Sequence, residues 1–372
     1  MSVAGESSVD WGASGRTDSY SFALVDPFTL GEVGTMEAEE SASSITYSYT
    51  SENHMQASLD VALGDYMQDG YHRMVRVYHD VTVGGFSGRY SMGTFFVENV
   101  SNSALNGMER RKLSCYGPMW RYTQDVLARD FVRHVGDNVV DCIRDIIQYD
   151  GGKLSIGDGV DTSRTHTREI FFSVGYNRAD TLNMYASWIN CEIVSGYDGT
   201  IVLRGYTPPG DRLPIYTFEN GANCVYLPGA DVTTNRDEPI NRVVAYFSRE
   251  SKPDDDPYPL SDSCYINVPE SHPFSFERCG RRRTEVMQVS DPCDHETLVA
   301  QAQRRLDEGS AEITYVEIEH ANVPFLKVGD CVRYVNGVDF KQGYETTAII
   351  EEMSVQSLGP MCMTKTKLRC YG

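Results

Sequence analysis

The feature that most constrains this chain is a word written twice. Met108 to Gly117 read "MERRKLSCYG", and Met363 to Gly372 read "MTKTKLRCYG". At an offset of 255 positions six of these ten residues are identical, Cys115/Cys370 and Tyr116/Tyr371 among them. The same offset, carried backwards without a gap, sets Val100 on Val355, Gly88 on Gly343 and Val77 on Val332. Solenoids repeat every ~20–50 residues. So wide a separation instead implies two similar units far apart in one chain.

The flanking patterns make those units β-structure. "HRMVRVYHDV" (72–81) and "DCVRYV" (330–335) alternate apolar and polar, as half-buried strands do. Each is followed by a Gly-containing turn, "GGFSGR" (84–89) or "NGVDFKQG" (336–343), and Asn336-Gly337 is a strong hairpin signal. Each then has a β-branched or aromatic run, "GTFFVENVS" (93–101) or "TTAIIEEMSV" (346–355), and closes on the basic strand ending in Cys-Tyr-Gly. The closing strand is expected to set Leu and Tyr on one face and Cys at a tight inner position. Upstream, "SSITYSYTSENHMQASLDVAL" (43–63) adds strands, enough for a small barrel or sandwich.

Between the copies the period changes. "DNVVDCIRDIIQYDGG" (137–152) places Val139, Val140, Ile143 and Ile147 at helical spacing, with Asp137 or Asn138 to cap it. "RADTLNMYASWIN" (178–190) predicts a second helix with Leu182, Tyr185, Ala186 and Ile189 on one face. "CEIVSGYDGTIVLRGY" (191–206) alternates around Asp198-Gly199, a hairpin. "INRVVAYFSRE" (240–250) opens a new strand set, and "SKPDDDPYPLSD" (251–262) reads as an exposed loop. "DHETLVAQAQRRLDEG" (294–309) predicts a helix with Asp294 as N-cap, Leu298, Ala302 and Leu306 inward, and Gly309 as its stop.

At 372 residues the chain has room for two or three domains. The segments expected are an N-terminal polar arm (1–15), a first β-barrel (16–120, with 206–238 available to complete it), an inserted helix-hairpin module (121–205) and a second β-barrel with a helix at 294–308 (239–372). The fold class expected is mainly β with an α+β insertion. The first residues carry neither a basic nor an apolar region of a secretion signal, and no run approaches the ~18 apolar residues of a membrane span. A net charge of −20 repels nucleic acid but does not exclude an acidic passage through which DNA slides without sticking. The ten cysteines are scattered with no CxxC pair, which reads as reduced, mostly buried thiols.

Catalytic signatures are missing from the sequence. There is no P-loop, no GxSxG and no HExxH. "CDHE" (293–296) lacks a matching second pair and reads as capping chemistry; "IGDGVDTS" (156–163) reads as a turn. Arg281–Arg283 reads as a solvated or inter-subunit salt-bridge patch. Trp188 reads as core, while Trp11 and Trp120 are uncommitted. No catalytic, cofactor-binding or metal-binding residue is expected, and no cofactor.

A β-domain, an inserted helix-hairpin module and a second similar β-domain resemble the baseplate hub, or tail hub, proteins of bacteriophages, which also form the N-terminal hub of tail-associated lysins. The resemblance rests on "MGTFFVENV" before "RRKLSCYGPMWRY", on "TLNMYASWINCEIVSGYDGTIVLRGY", and on the closing run from "NVPFLKVGDCVRYV" to "MTKTKLRC". It implies two tail-tube-like barrels in one chain and a non-enzymatic homotrimer that joins the sixfold tail tube to the threefold tip. Its partners would be distal tail or tail-tube proteins above and tip, spike or fibre proteins below. Tape measure protein and passing DNA would occupy the lumen. The place implied is the virion tail tip, after assembly in host cytoplasm and without a membrane span. Unlike the lysin-bearing members, the chain is expected to lack an appended lysin domain. A glycan-active tail-tip enzyme or a receptor-binding protein is the alternative.

Overall fold

The computed structural model describes residues 6, 9–62, 74–105, 108–166, 169–220, 225–235, 239–248, 258–289, 293–310, 313–337, 343–360 and 362–371. Cys224 and parts of the expected arm, of the loop 251–262 and of the turn 336–343 lie outside the described residues. The chain opens with β1 (Thr17–Val25), β2 (Glu32–Met36), β3 (Ser44–Ser48) and β4 (Met55–Ala62). The first repeat copy supplies β5 (Met74–Val83), β6 (Phe86–Leu105) and β7 (Met108–Tyr116). Next come α1 (Trp120–Thr123), β8 (Phe131–Arg133), α2 (Val139–Gln148), β9 (Leu154–Ile156), β10 (Ile170–Phe172) and α3 (Arg178–Trp188). The hairpin β11 (Cys191–Ser195) and β12 (Ile201–Gly205) is followed by β13 (Tyr216–Glu219) and β14 (Asp231–Asn235). Then follow β15 (Arg242–Ser248), β16 (Ser261–Asn267), α4 (Phe276–Cys279), β17 (Thr284–Gln288) and α5 (His295–Ser310). The second copy is β18 (Ile313–Ala321), β19 (Cys331–Asn336), β20 (Tyr344–Val355) and β21 (Met363–Tyr371). The fold is mainly β, as the sequence indicates. No helix among the described residues is long and apolar enough to cross a membrane.

The repeat is structural. Shifting β7 by 255 gives the bounds of β21, and β5 and β6 fall over β19 and β20. Both copies run in the same neighbour order: β3-β4-β7-β6-β5 in the first, β14-β18-β21-β20-β19 in the second. Even the register is kept. Arg76↔Thr94 and Val77↔Gly93 become Cys331↔Ile349 and Val332↔Ala348 under the same shift. The first copy then inserts a bulge after Val77, opposite Gly93. Gly93 sits at φ +136°, where a Cβ would come within 2.5 Å of the Phe95 ring, so the bulge needs glycine. β3 pairs with β4 on one edge and with the end of β20 on the other, which joins the copies into one thirteen-stranded sheet.

The face assignment within the repeated word differs from expectation. Leu113 and Cys115 are two apart, so they share the buried face, as do Leu368 and Cys370. Tyr116 points the other way and stacks on Trp120 at 6.0 Å. Burial also explains the thiols: desolvation pushes Cys115 up to about 12, and Cys142 and Cys362 up to about 11.

By its contacts the chain divides into two units: residues 1–207, 213–230 and 317–368 form one, and 208–212, 231–316 and 369–372 the other. This differs from the segments drawn from the sequence in three places. Residues 206–238, offered to the first barrel, supply β13 and β14, whose pairing partners are β19 and β18 of the second copy. Residues 239–310 do not run on with the second copy but build the smaller unit. There α5 lays Leu298, Ala302 and Leu306 on Val243, Ala245 and Phe247 of the sheet β16-β15-β17. The arm is fixed at Trp11, which is fully buried against Phe86 and Phe325 and whose carbonyl accepts from Arg16 at 2.9 Å.

Helix caps and stops follow local chemistry. The Asn138 carboxamide accepts from the Val140 and Asp141 amides, and Asp294 accepts from Thr297. Gly309 does not stop α5, which runs to Ser310. A Cβ there would lie 2.7 Å from Ile240, and the Gly309 carbonyl accepts from the Ile240 amide, so the glycine permits close approach.

The module has its own core: α2 contributes Val139, Val140, Cys142, Ile143, Ile146 and Ile147, and α3 contributes Leu182, Tyr185 and Ala186. Trp188 packs against it, as the sequence indicates. Leu182 is fully buried and Asn183 exposed. Leu182→Ala is therefore expected to destabilise by about 2–5 kcal/mol in chemical denaturation, and Asn183→Ala by a small fraction of that. Equal, small effects would contradict this packing.

Candidate assembly surfaces

The nearest approach to a catalytic arrangement is His54 beside Ser195. His54 Nδ1 lies 3.4 Å from Ser195 Oγ, but the same nitrogen accepts from the Ser195 amide at 3.2 Å. Glu192 is held by Tyr49 and by Arg204 at 2.7 Å. The group ties the β3–β4 turn to β11. Among the described residues no three His, Cys, Asp or Glu side chains converge as metal ligands. His295 of "CDHE" pairs with Asp262 at 2.8 Å, and Asp161 of "IGDGVDTS" closes a turn by accepting from Ser163. Arg282 stacks on Phe276, and the Arg283 amide donates to Asn241.

What the described surface offers instead is strand faces and apolar residues. On β21 the even positions Thr364, Thr366, Leu368 and Cys370 are buried. The odd positions carry charge outward, with Lys365 on Glu317 at 2.7 Å and Lys367 on Glu351 at 3.4 Å. In the smaller unit, α5 covers one face of β16-β15-β17. The other presents Tyr265, Val244 and Val286 in one cross-strand row, with Tyr265 63% and Val286 62% exposed. In the module, Val132 of β8 stands opposite Phe171 of β10, and both are exposed. Contiguous exposed apolar rows of this kind mark protein–protein contact more often than chemistry.

Interior electrostatics hold the sheet. Asp18 accepts from Arg16 and, at 2.6 Å, from buried His79. Burial pushes the Asp18 carboxyl up, but the hydrogen bonds from His79 and Arg16 outweigh it and hold it below its ordinary value. His320 is wholly buried between the Ala321 carbonyl and the Thr366 hydroxyl, each 2.8 Å away. A carbonyl only accepts, so Nδ1 carries the proton and Nε2 accepts.

No family model and no curated protein sequence matches the chain. Solved structures do. The tail protein from Neisseria meningitidis MC58 superposes with a TM-score of 0.62 at 13% identity, covering 94% of this chain and 96% of that one. The 43 kDa tail protein of prophage MuSo2 from Shewanella oneidensis gives 0.62 at 12%, covering 94% and 97%. The prophage tail protein gp18 from Listeria monocytogenes EGD-e gives 0.58 at 13%, covering 94% of each chain. The chain therefore has the fold of phage tail proteins, over nearly its whole length.

Burial pushes His320 down to about 4, and His54 likewise. In the unfolded chain a histidine takes its proton near 6.5. The folded state therefore keeps its full stability above pH 6.5 and loses it as pH falls towards 4, by up to about 3 kcal/mol for His320. The Asp18 contribution is present above about 3.8 and is lost only below that. Urea midpoints are expected to fall between pH 7 and 4.5, and less steeply in His320→Gln. A flat profile, or an unchanged slope in the variant, would contradict the neutral buried imidazole.

Proposed function

We propose that this protein is a structural hub of a phage tail, a homotrimer that adapts the sixfold tail tube to the threefold tip. The observation that carries the reading is the conserved register of the two copies. A single chain holding two strand sets of one topology lets three chains present six similar sets in a closed ring, which resolves the symmetry mismatch. The likeness in fold to prophage tail proteins supports a structural rather than catalytic role, and so does the dispersal of the titratable groups. In this reading tail-tube proteins stack above, tip, spike or fibre proteins below, and tape measure protein and DNA pass through the centre. The surplus of acidic residues would line part of that passage and keep DNA from adhering.

The test is the mass of the purified assembly by native mass spectrometry or light scattering. Three chains of 41.6 kDa give about 125 kDa. A monomer at high protein concentration would overturn the proposal, as would release of product from cell-wall glycan abolished by changing a single carboxylate.

A further inference from the structure

A cavity of about 370 Å³ opens in the helix-hairpin module between the segment leading into β8 and the last turn of α2. Its walls are apolar, with Leu127, Phe131, Ile146 and Tyr149 among the lining residues, and its charged members are Arg129, Arg133, Arg178 and Asp145. Arg178 is saturated: it is 2% exposed, pairs with Asp125 and Asp150, and donates to the Ile146 carbonyl. The other two arginines have capacity left. Arg133 stacks on Phe131 at 4.1 Å and gives one nitrogen to Asp145, but its Nε–H is buried with no acceptor. Arg129 is exposed, lies over Tyr149 at 5.9 Å, and meets no carboxylate among the described residues. A buried donor without an acceptor is costly to leave unmade, and an oxygen-bearing ligand would supply the acceptor.

Shape and charge narrow the ligand. The volume is at the small end for ligand sites, enough for one large apolar side chain. β8 pairs only with β10 among the described residues, so the strand beside the cavity has an unpaired edge. Exposed Val132 and Phe171 extend the apolar surface. On a chain of net charge −20, the lining holds three arginines and one aspartate, and Arg129 among them meets no carboxylate among the described residues. We propose that this cavity is a docking pocket for an extended acidic segment of a partner protein. One aromatic or aliphatic side chain enters between Phe131 and Tyr149. Flanking carboxylates meet Arg129 and the Nε–H of Arg133, and the segment's backbone lies along the β8 edge. The inference stands on local geometry and holds or fails apart from the hub reading.

The test uses the full chain and fluorescence anisotropy with a labelled peptide, Asp-Glu-Leu-Phe-Glu-Asp, against its basic counterpart Lys-Lys-Leu-Phe-Lys-Lys. The acidic peptide is expected to bind saturably below about 100 µM and the basic one not to bind. Arg129→Glu, and Ala128→Trp at the exposed rim, are each expected to weaken binding by about tenfold or more. Unchanged circular dichroism and an unaffected Asn183→Ser control would show that both variants fold. Equal binding of the two peptides, no saturation by about 1 mM, or undiminished affinity in both variants would overturn the proposal.

Discussion

The structure depends on one short ladder, β3 against the end of β20. Ile45, Thr46, Tyr47 and Ser48 stand opposite Val355, Ser354, Met353 and Glu352, and the Tyr49 amide donates to the Glu351 carbonyl at 2.8 Å. An unpaired strand edge invites unwanted association. Here the edge of the first copy is closed by the second, so two strand sets separated by hundreds of residues share one sheet. Buried Ile45, Tyr47, Met353 and Val355 line the join. Pairing so distant in sequence is entropically expensive to nucleate. The short, β-branched and aromatic β3 compensates by being paired on both edges.

The insertions now have a physical logic. Each copy keeps its five-strand order, and extra structure enters at loops between strands. In the second copy β15, β16, β17 and α5 enter between β14 and β18. The helix-hairpin module lies after the first copy's closing strand. Each insertion carries its own apolar core, so neither draws residues from the sheet that the copies share.

How much was legible in the sequence follows from the range of the interactions. The offset of 255 places β7 over β21, and Leu113 and Cys115 are buried as Leu368 and Cys370 are. The cores of α2, α3 and α5 are legible from period and the cap Asp294 from side-chain chemistry, whereas the sequence leaves Asp137 and Asn138 as alternatives and the structure selects Asn138. Three things are not legible. "YTFE" and "DVTTN" say nothing about which edge they meet, so the sequence does not assign β13 and β14 to the second copy. Local sequence does not reveal Ile240 against Gly309, which therefore looks like a helix stop. Nothing near Trp11 in sequence reveals its packing against Phe86 and Phe325. The docking pocket was invisible for the same reason: Arg129, Arg133 and Tyr149 come together only when α2 packs beside β8.

The central claim is that the duplicated strand sets exist to be read as six in a trimer. The most direct measurement is an electron cryo-microscopy reconstruction of the purified assembly without imposed symmetry. The account predicts three chains around one axis, with β5–β7 and β19–β21 alternating at steps of about 60° around a central opening. A ring in which like copies adjoin, or an assembly with no closed ring at all, would contradict it.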